Sequence, residues 1–221
     1  MLTVHHLQNS RSQRILWLLE ELGADYEVKR YERHPETNLA PTSLNEVHPL
    51  GKSPVITDGD KTIAETGAIV EYLLDTYGEG RFRPAAGSAA FERYRYWMHA
   101  AEGSYMTIMI LRLFISRMEE APMPFFVKPV AKKLTGAVRA AYLDHTQKAL
   151  FDYFESELGR GDWLAGDSLT GADIMMSFPA EAFAARGDIN AAPHIKAYVQ
   201  RLQARDGYKR ALERGGPYDF A

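Results

Sequence analysis

Glu65 and Thr66 stand side by side where an extended run, "KTIAE", gives way to a helical one, and Pro54 opens the strand before it. A carboxylate accepts from a cation, whereas a hydroxyl and the free amides of a helix N-terminus donate to an anion, which the helix dipole also favours. The same two residues also suit an ordinary N-cap beside a first-turn acid. A second polar cluster, "QNSRSQR", joins the first strand to the first helix and offers Asn9, Ser10 and Ser12 as short donors. Ser10 and Gln13 have the S-x-x-Q spacing of a capping box, so this stretch reads both as a helix start and as a site.

Composition narrows the chemistry. The chain has 221 residues and no cysteine, which removes disulfides, thiolate metal sites and a protein thiol nucleophile. A formal net charge of -3 sets up no field that would gather nucleic acid or an anionic membrane. His5 and His6 are adjacent in a strand and point to opposite faces, so they form no metal site. "KPVAKKL" is a short basic helical patch that reads as solvated. No apolar stretch reaches the roughly 18 residues of a membrane span, and Met1 leads straight into strand-like sequence. The expectation is a cytoplasmic protein without metal, nucleic-acid or membrane partners.

The elements that must position these residues change character near residue 80. "LTVHHL" reads as a strand and "SRSQRILWLLEELG" as a helix ended by Gly23. "YEVKRYE" gives a second strand, parallel to the first because one helix crosses between them. "SPVIT" and "KTIAE" flank Asp58-Gly59, a dipeptide suited to a tight hairpin, and a helix follows from about Thr66 to Tyr77. The order is βαβ then ββα, a thioredoxin-like α/β domain over residues 1–78. A Gly- and Pro-bearing linker covers 79–87, and residues 88–221 form an all-α helical bundle. Its long helices run from Ser88 to about Met118 and from about Phe125 to Leu158. Thr170 and Asp173 have capping-box spacing between Leu169 and Ile174, the positions of a hydrophobic staple.

The βαβ-ββα order, the "HPLGKSP" turn, Glu65-Thr66 before the third helix and the boxed helix of the second domain together resemble cytosolic glutathione S-transferases. "HHLQNSRSQRILWLLEEL" is similar to a bacterial and fungal subgroup with a serine-type active site. The resemblance covers nearly the whole chain. It implies that glutathione is the co-substrate, with no covalently bound cofactor. Glu65 then takes the γ-glutamyl ammonium, and Thr66 with the helix amides takes the α-carboxylate. The resemblance makes Pro54 cis, turns the Ser53 main chain toward the cysteinyl unit, and sets Lys52 near the peptide or its carboxylate. A thiol of pKa about 8.5 must ionise, and a hydroxyl donating to sulfur stabilises only the anion. Lowering that pKa by about two units takes about 2.7 kcal/mol, within reach of one hydrogen bond to a charged group. Ser10, four residues before Arg14, is the favoured donor, with Ser12 and Asn9 as alternates.

The second substrate in such an enzyme is a small hydrophobic electrophile. Glu102, Tyr105 and Met109 recur at helical spacing and share one face, which reads either as core or dimer face or as a wall of the second-substrate pocket. Relatives are homodimers, and "FERYRYW" suits that contact. Two functions follow: a transferase conjugating glutathione to electrophiles, with peroxidase activity on organic hydroperoxides, or a non-catalytic binding or regulatory protein that keeps the fold and acts through protein contacts.

Overall fold

The computed structural model describes residues 1–221. Strand β1 (Leu2–Leu7) leads into helix α1 (Gln13–Leu22) and strand β2 (Glu27–Tyr31). A 3-10 turn at Thr42–Glu46 precedes strands β3 (Val55–Asp58) and β4 (Lys61–Ala64) and helix α2 (Thr66–Tyr77). The sheet order is β2-β1-β3-β4. β1 runs parallel to β2 and antiparallel to β3, which pairs antiparallel with β4. Asp58 pairs with Lys61, so the hairpin loop is Gly59 and Asp60, with Gly59 taking the positive φ of 60°.

The helical domain contains α3 (Ala89–Ala100), α4 (Thr107–Glu120), α5 (Lys128–Val138), α6 (Asp144–Leu158), α7 (Gly171–Arg186), α8 (Pro193–Ala204) and α9 (Asp206–Gly215). The two long helices read from the sequence are each interrupted by a wider π turn. Ala101–Met106 joins α3 to α4, and Arg139–Leu143 joins α5 to α6. A π turn adds a residue per turn, so a face counted at 3.6 residues drifts across it. For that reason Glu102, Tyr105 and Met109 do not share one environment.

Thr170 and Asp173 close the capping box of α7, where Asp173 accepts from the Thr170 N–H at 2.8 Å. The same buried carboxylate accepts from the Leu164 N–H and the Tyr198 hydroxyl, each at 3.0 Å, and so ties α7 to α8 and to the preceding loop. One hydrophobic cluster runs through both domains, from Leu16 and Trp17 in α1 through Leu73 and Leu74 in α2 to Trp97 and Met175. At the seam a Cβ on Gly171 would lie 3.0 Å from Leu74 and 3.1 Å from Val70, so glycine sets how closely α7 approaches α2. "FERYRYW" contributes mainly to the interior. Tyr94 and Trp97 are buried, leaving Tyr96 as its exposed aromatic.

Candidate active site

The loop from β1 to α1 is held by hydroxyls. Ser12 is fully buried, its Oγ 2.9 Å from His6 Nδ1 and 2.7 Å from Ser10 Oγ, and it accepts from the Leu7 N–H at 3.2 Å. Burial pushes His6 down to about 4, so the ring is neutral, and the Gly215 main chain lies against it. We assign the Ser12 proton to His6 Nδ1, which leaves Ser12 with no donor for a ligand. Ser10 accepts from the Ser12 N–H at 3.2 Å. No capping box forms here, because the buried Gln13 amide has no hydrogen-bond partner and the Gln13 N–H bonds the Ser10 carbonyl. Asn9 adopts a φ of 51° and is committed to the C-terminal tail. Its amide donates to Asp219 at 2.8 Å, and its Oδ1 accepts from the Asp219 N–H at 3.0 Å.

Beside this loop, Lys52, Ser53, Pro54, Glu65 and Thr66 line one cleft of about 170 Å3, together with Arg11, His48, Leu50 and Ala64. The Ser53-Pro54 bond is cis. The Ser53 hydroxyl donates to the His5 carbonyl at 2.9 Å, while its own N–H and C=O bond nothing else in the main chain. Glu65 has φ 70° and ψ 124°, a conformation costing a non-glycine residue about 1–3 kcal/mol and persisting only where its surroundings enforce it. Its carboxylate has no partner in the chain, and Thr66 begins α2 with its amide among the unpaired donors of the first turn. The cleft therefore offers a carboxylate acceptor, a helix N-terminus, a free main-chain amide and carbonyl, and the cations Lys52 and Arg11.

The three residues of the expected second-substrate wall separate. Glu102 pairs with both Arg11 and Arg14. Burial raises its carboxyl, but the two guanidinium groups outweigh that and hold it below its usual range. Tyr105 lies in the core against Trp97, Phe151 and Phe154, its hydroxyl donating to the Leu150 carbonyl at 2.8 Å, so it walls no pocket. Met109 faces a separate cavity between α4, α6 and α7. Arg11 escaped the sequence reading although it stands in the β1–α1 loop, three residues before Arg14. No group of three or more His, Asp or Glu stands close enough to hold a metal ion.

Residues 1–75 match the family described as the glutathione S-transferase N-terminal domain, and residues 108–206 match its C-terminal domain. Glutathione S-transferase 3 of Schizosaccharomyces pombe is 34% identical over 97% of this chain and 88% of its own length. The chain belongs to the glutathione S-transferase family. Glutathione S-transferase 1 of Saccharomyces cerevisiae is 30% identical over 97% of this chain and 95% of its own. A crystal structure of a glutathione S-transferase from Actinobacillus pleuropneumoniae superimposes with a TM-score of 0.80 at 34% identity, covering 100% of this chain and 95% of that one. The protein is thus a transferase enzyme with the thioredoxin-like and helical domains of its family. No helix is long and apolar enough to cross a membrane.

In this glutathione S-transferase the tail that holds Asn9 is itself anchored on a buried acid. Glu181 on α7 accepts from the Tyr208 and Tyr218 hydroxyls, and burial pushes its carboxyl up to about 7. Unfolded, the group titrates near 4.5, so between about 4.5 and 7 the folded state holds the proton more tightly. Its contribution is present in full below 4.5 and is lost as pH rises through 7. His6, depressed from 6.5 to about 4, works in the opposite direction in an overlapping window. The contribution is therefore read as a difference between proteins: urea unfolding at pH 5 and 7.5 should show wild type losing about 2 kcal/mol more than Glu181→Gln. Equal losses would remove the titration from Glu181.

Proposed function

We propose that this enzyme joins the glutathione thiolate to small electrophiles, and that the same thiolate reduces organic hydroperoxides. The observation carrying this reading is the convergence of Lys52, Ser53, Glu65 and Thr66 on one cleft beside the Ser10 loop. The γ-glutamyl ammonium sits on the Glu65 carboxylate, and its α-carboxylate on Thr66 and the α2 amides. The cysteinyl unit pairs with the Ser53 main chain, and Lys52 balances the remaining carboxylate. The Ser10 proton, directed at Ser12 Oγ once the Ser12 proton is given to His6, turns to the sulfur when glutathione binds and favours the anion.

In conjugation the sulfur forms a bond to carbon while the leaving group departs with its electron pair, or the thiolate adds across an activated double bond and carbon takes up a proton. With a hydroperoxide, sulfur takes one peroxide oxygen as the alcohol leaves. A second glutathione then displaces water to give the disulfide. Ser12 and Asn9 serve the same chemistry indirectly, Ser12 by holding Ser10 and Asn9 by fixing the loop.

A homodimer is part of the proposal, as is a place among the cytosolic members. Support for the dimer comes from α4, α5 and the segment between them, where Phe114, Met118, Phe125, Phe126, Val130 and Leu134 stand exposed. Apolar surface so concentrated on one face suits a symmetric partner. Light scattering at micromolar concentration should give twice the 24.9 kDa chain mass, and a monomer there refutes the assembly.

Glutathione binding is tested by calorimetry on Glu65→Ala and Glu65→Gln, each expected to weaken affinity by about tenfold to a hundredfold. An unchanged dissociation constant in folded variants overturns the assignment. The thiol is followed by thiolate absorbance against pH. Ser10→Ala should move the titration of bound glutathione toward that of the free thiol, while affinity at low pH stays nearly intact. Ser12→Ala should chiefly lower the melting temperature, because it strips a partner from His6 and Leu7. A titration that moves in neither variant would transfer the activation to main-chain donors.

A further inference from the structure

Between α4, α6 and α7 lies a cavity of about 440 Å3. Its floor is apolar, built from Met109, Leu113, Phe151 and Phe183, and its rim carries Arg112, Arg117 and Arg186. Arg112 is paired with Asp144 at 2.6 Å. Arg117 and Arg186 have no carboxylate within ion-pair distance, in a chain with fifteen ion pairs in all. One acid, Glu120, also reaches the rim.

Two chains of side chains lead from this cavity toward the Ser10 loop. Arg33 donates to the Gln8 carbonyl at 3.0 Å and the Asn9 carbonyl at 3.2 Å; it too lacks a carboxylate partner, and Arg117 is close enough to repel it. On the other side Arg186 lies 5.1 Å from the Phe220 ring centre, next to Asp219, which holds Asn9. Two guanidinium groups without acid partners, Arg117 and Arg186, thus line a cavity that also holds four large apolar side chains, and a third, Arg33, stands between Arg117 and the Ser10 loop. A guanidinium offers a planar fork to a carboxylate or sulfonate, and an apolar floor takes up an aromatic or alkyl body.

We propose that this cavity receives the second substrate and selects electrophiles that carry an anionic group on an apolar body, with Arg117 and Arg186 as the specificity-determining residues. The proposal rests on the transferase reading for its chemistry, but the pocket's charge preference can be measured without it. With an aryl chloride, the glutathione sulfur bonds to the ring carbon and chloride leaves with the electron pair, so no further reactant is needed.

The probes are 4-chloro-3-nitrobenzoate and its uncharged counterpart 4-chloro-3-nitrobenzamide. Calorimetry without glutathione should show the benzoate binding at least about tenfold tighter, the effect of one charge-assisted contact. Arg117→Gln/Arg186→Gln should abolish that preference while glutathione affinity stays unchanged, and Glu120→Gln should widen it. The ratio of kcat/KM for the two compounds, each divided by its uncatalysed rate with glutathione, should follow the same order. Equal binding of acid and amide, no binding of either, or a preference that survives in the folded double variant overturns the proposal. Retained preference for the benzoate in a protein that fails to bind glutathione would instead remove the transferase reading and leave the anion site standing.

Discussion

A guanidinium with almost no exposed surface governs this structure. Arg14 on α1 is 2% exposed, and moving such a charge out of water is costly unless partners surround it. Its partners come from the helical domain: the Glu102 carboxylate and the Met175 carbonyl. Glu102 also holds Arg11, just ahead of the helix, so one carboxylate from the second domain clamps the junction of the β1–α1 loop with α1. The β1–α1 loop ends at that junction, and its geometry is therefore set from across the domain seam. Removing Glu102 would leave a buried cation and release the cleft-lining Arg11 together.

The division of labour follows from this. The thioredoxin-like half lines the cleft with main chain and one helix end, at Ser53, Glu65 and Thr66. The helical half contributes positioning. Its π turn supplies Glu102, and α7 supplies both the Met175 carbonyl and the Glu181 seat for the tail. The widened turn matters because it re-aims one side chain without ending the helix.

What could be read from the chain depended on how local the signal was. The strand order, the cleft residues Lys52 to Thr66 and the box at Thr170 and Asp173 are carried by neighbouring residues and turn chemistry, so they were legible. The π turns were not, because nothing in "AEGSYM" distinguishes them from ordinary helix, and Glu102, Tyr105 and Met109 were therefore counted onto one face although only Tyr105 lies in the core. The aromatics of "FERYRYW" look the same whether they pack inward or outward, and only tertiary contacts send Tyr94 and Trp97 inside. Ser10 and Ser12 could not be separated by type. Both are buried, and their partners differ, since Ser12 bonds His6 and Leu7 whereas Ser10 bonds Ser12. The link from Asn9 to Asp219 spans 210 positions, beyond any local pattern.

That link sets an order of events during synthesis. Asn9 is synthesised 210 positions ahead of Asp219. The reciprocal amide contacts that brace the β1–α1 loop can form only once residue 219 has been made and has cleared the ribosome. A nascent chain can lay down its sheet and much of its bundle before then, yet its loop remains unbraced until that segment emerges. The same geometry constrains engineering: a change that displaces the segment around Asp219 also releases the loop beside β1.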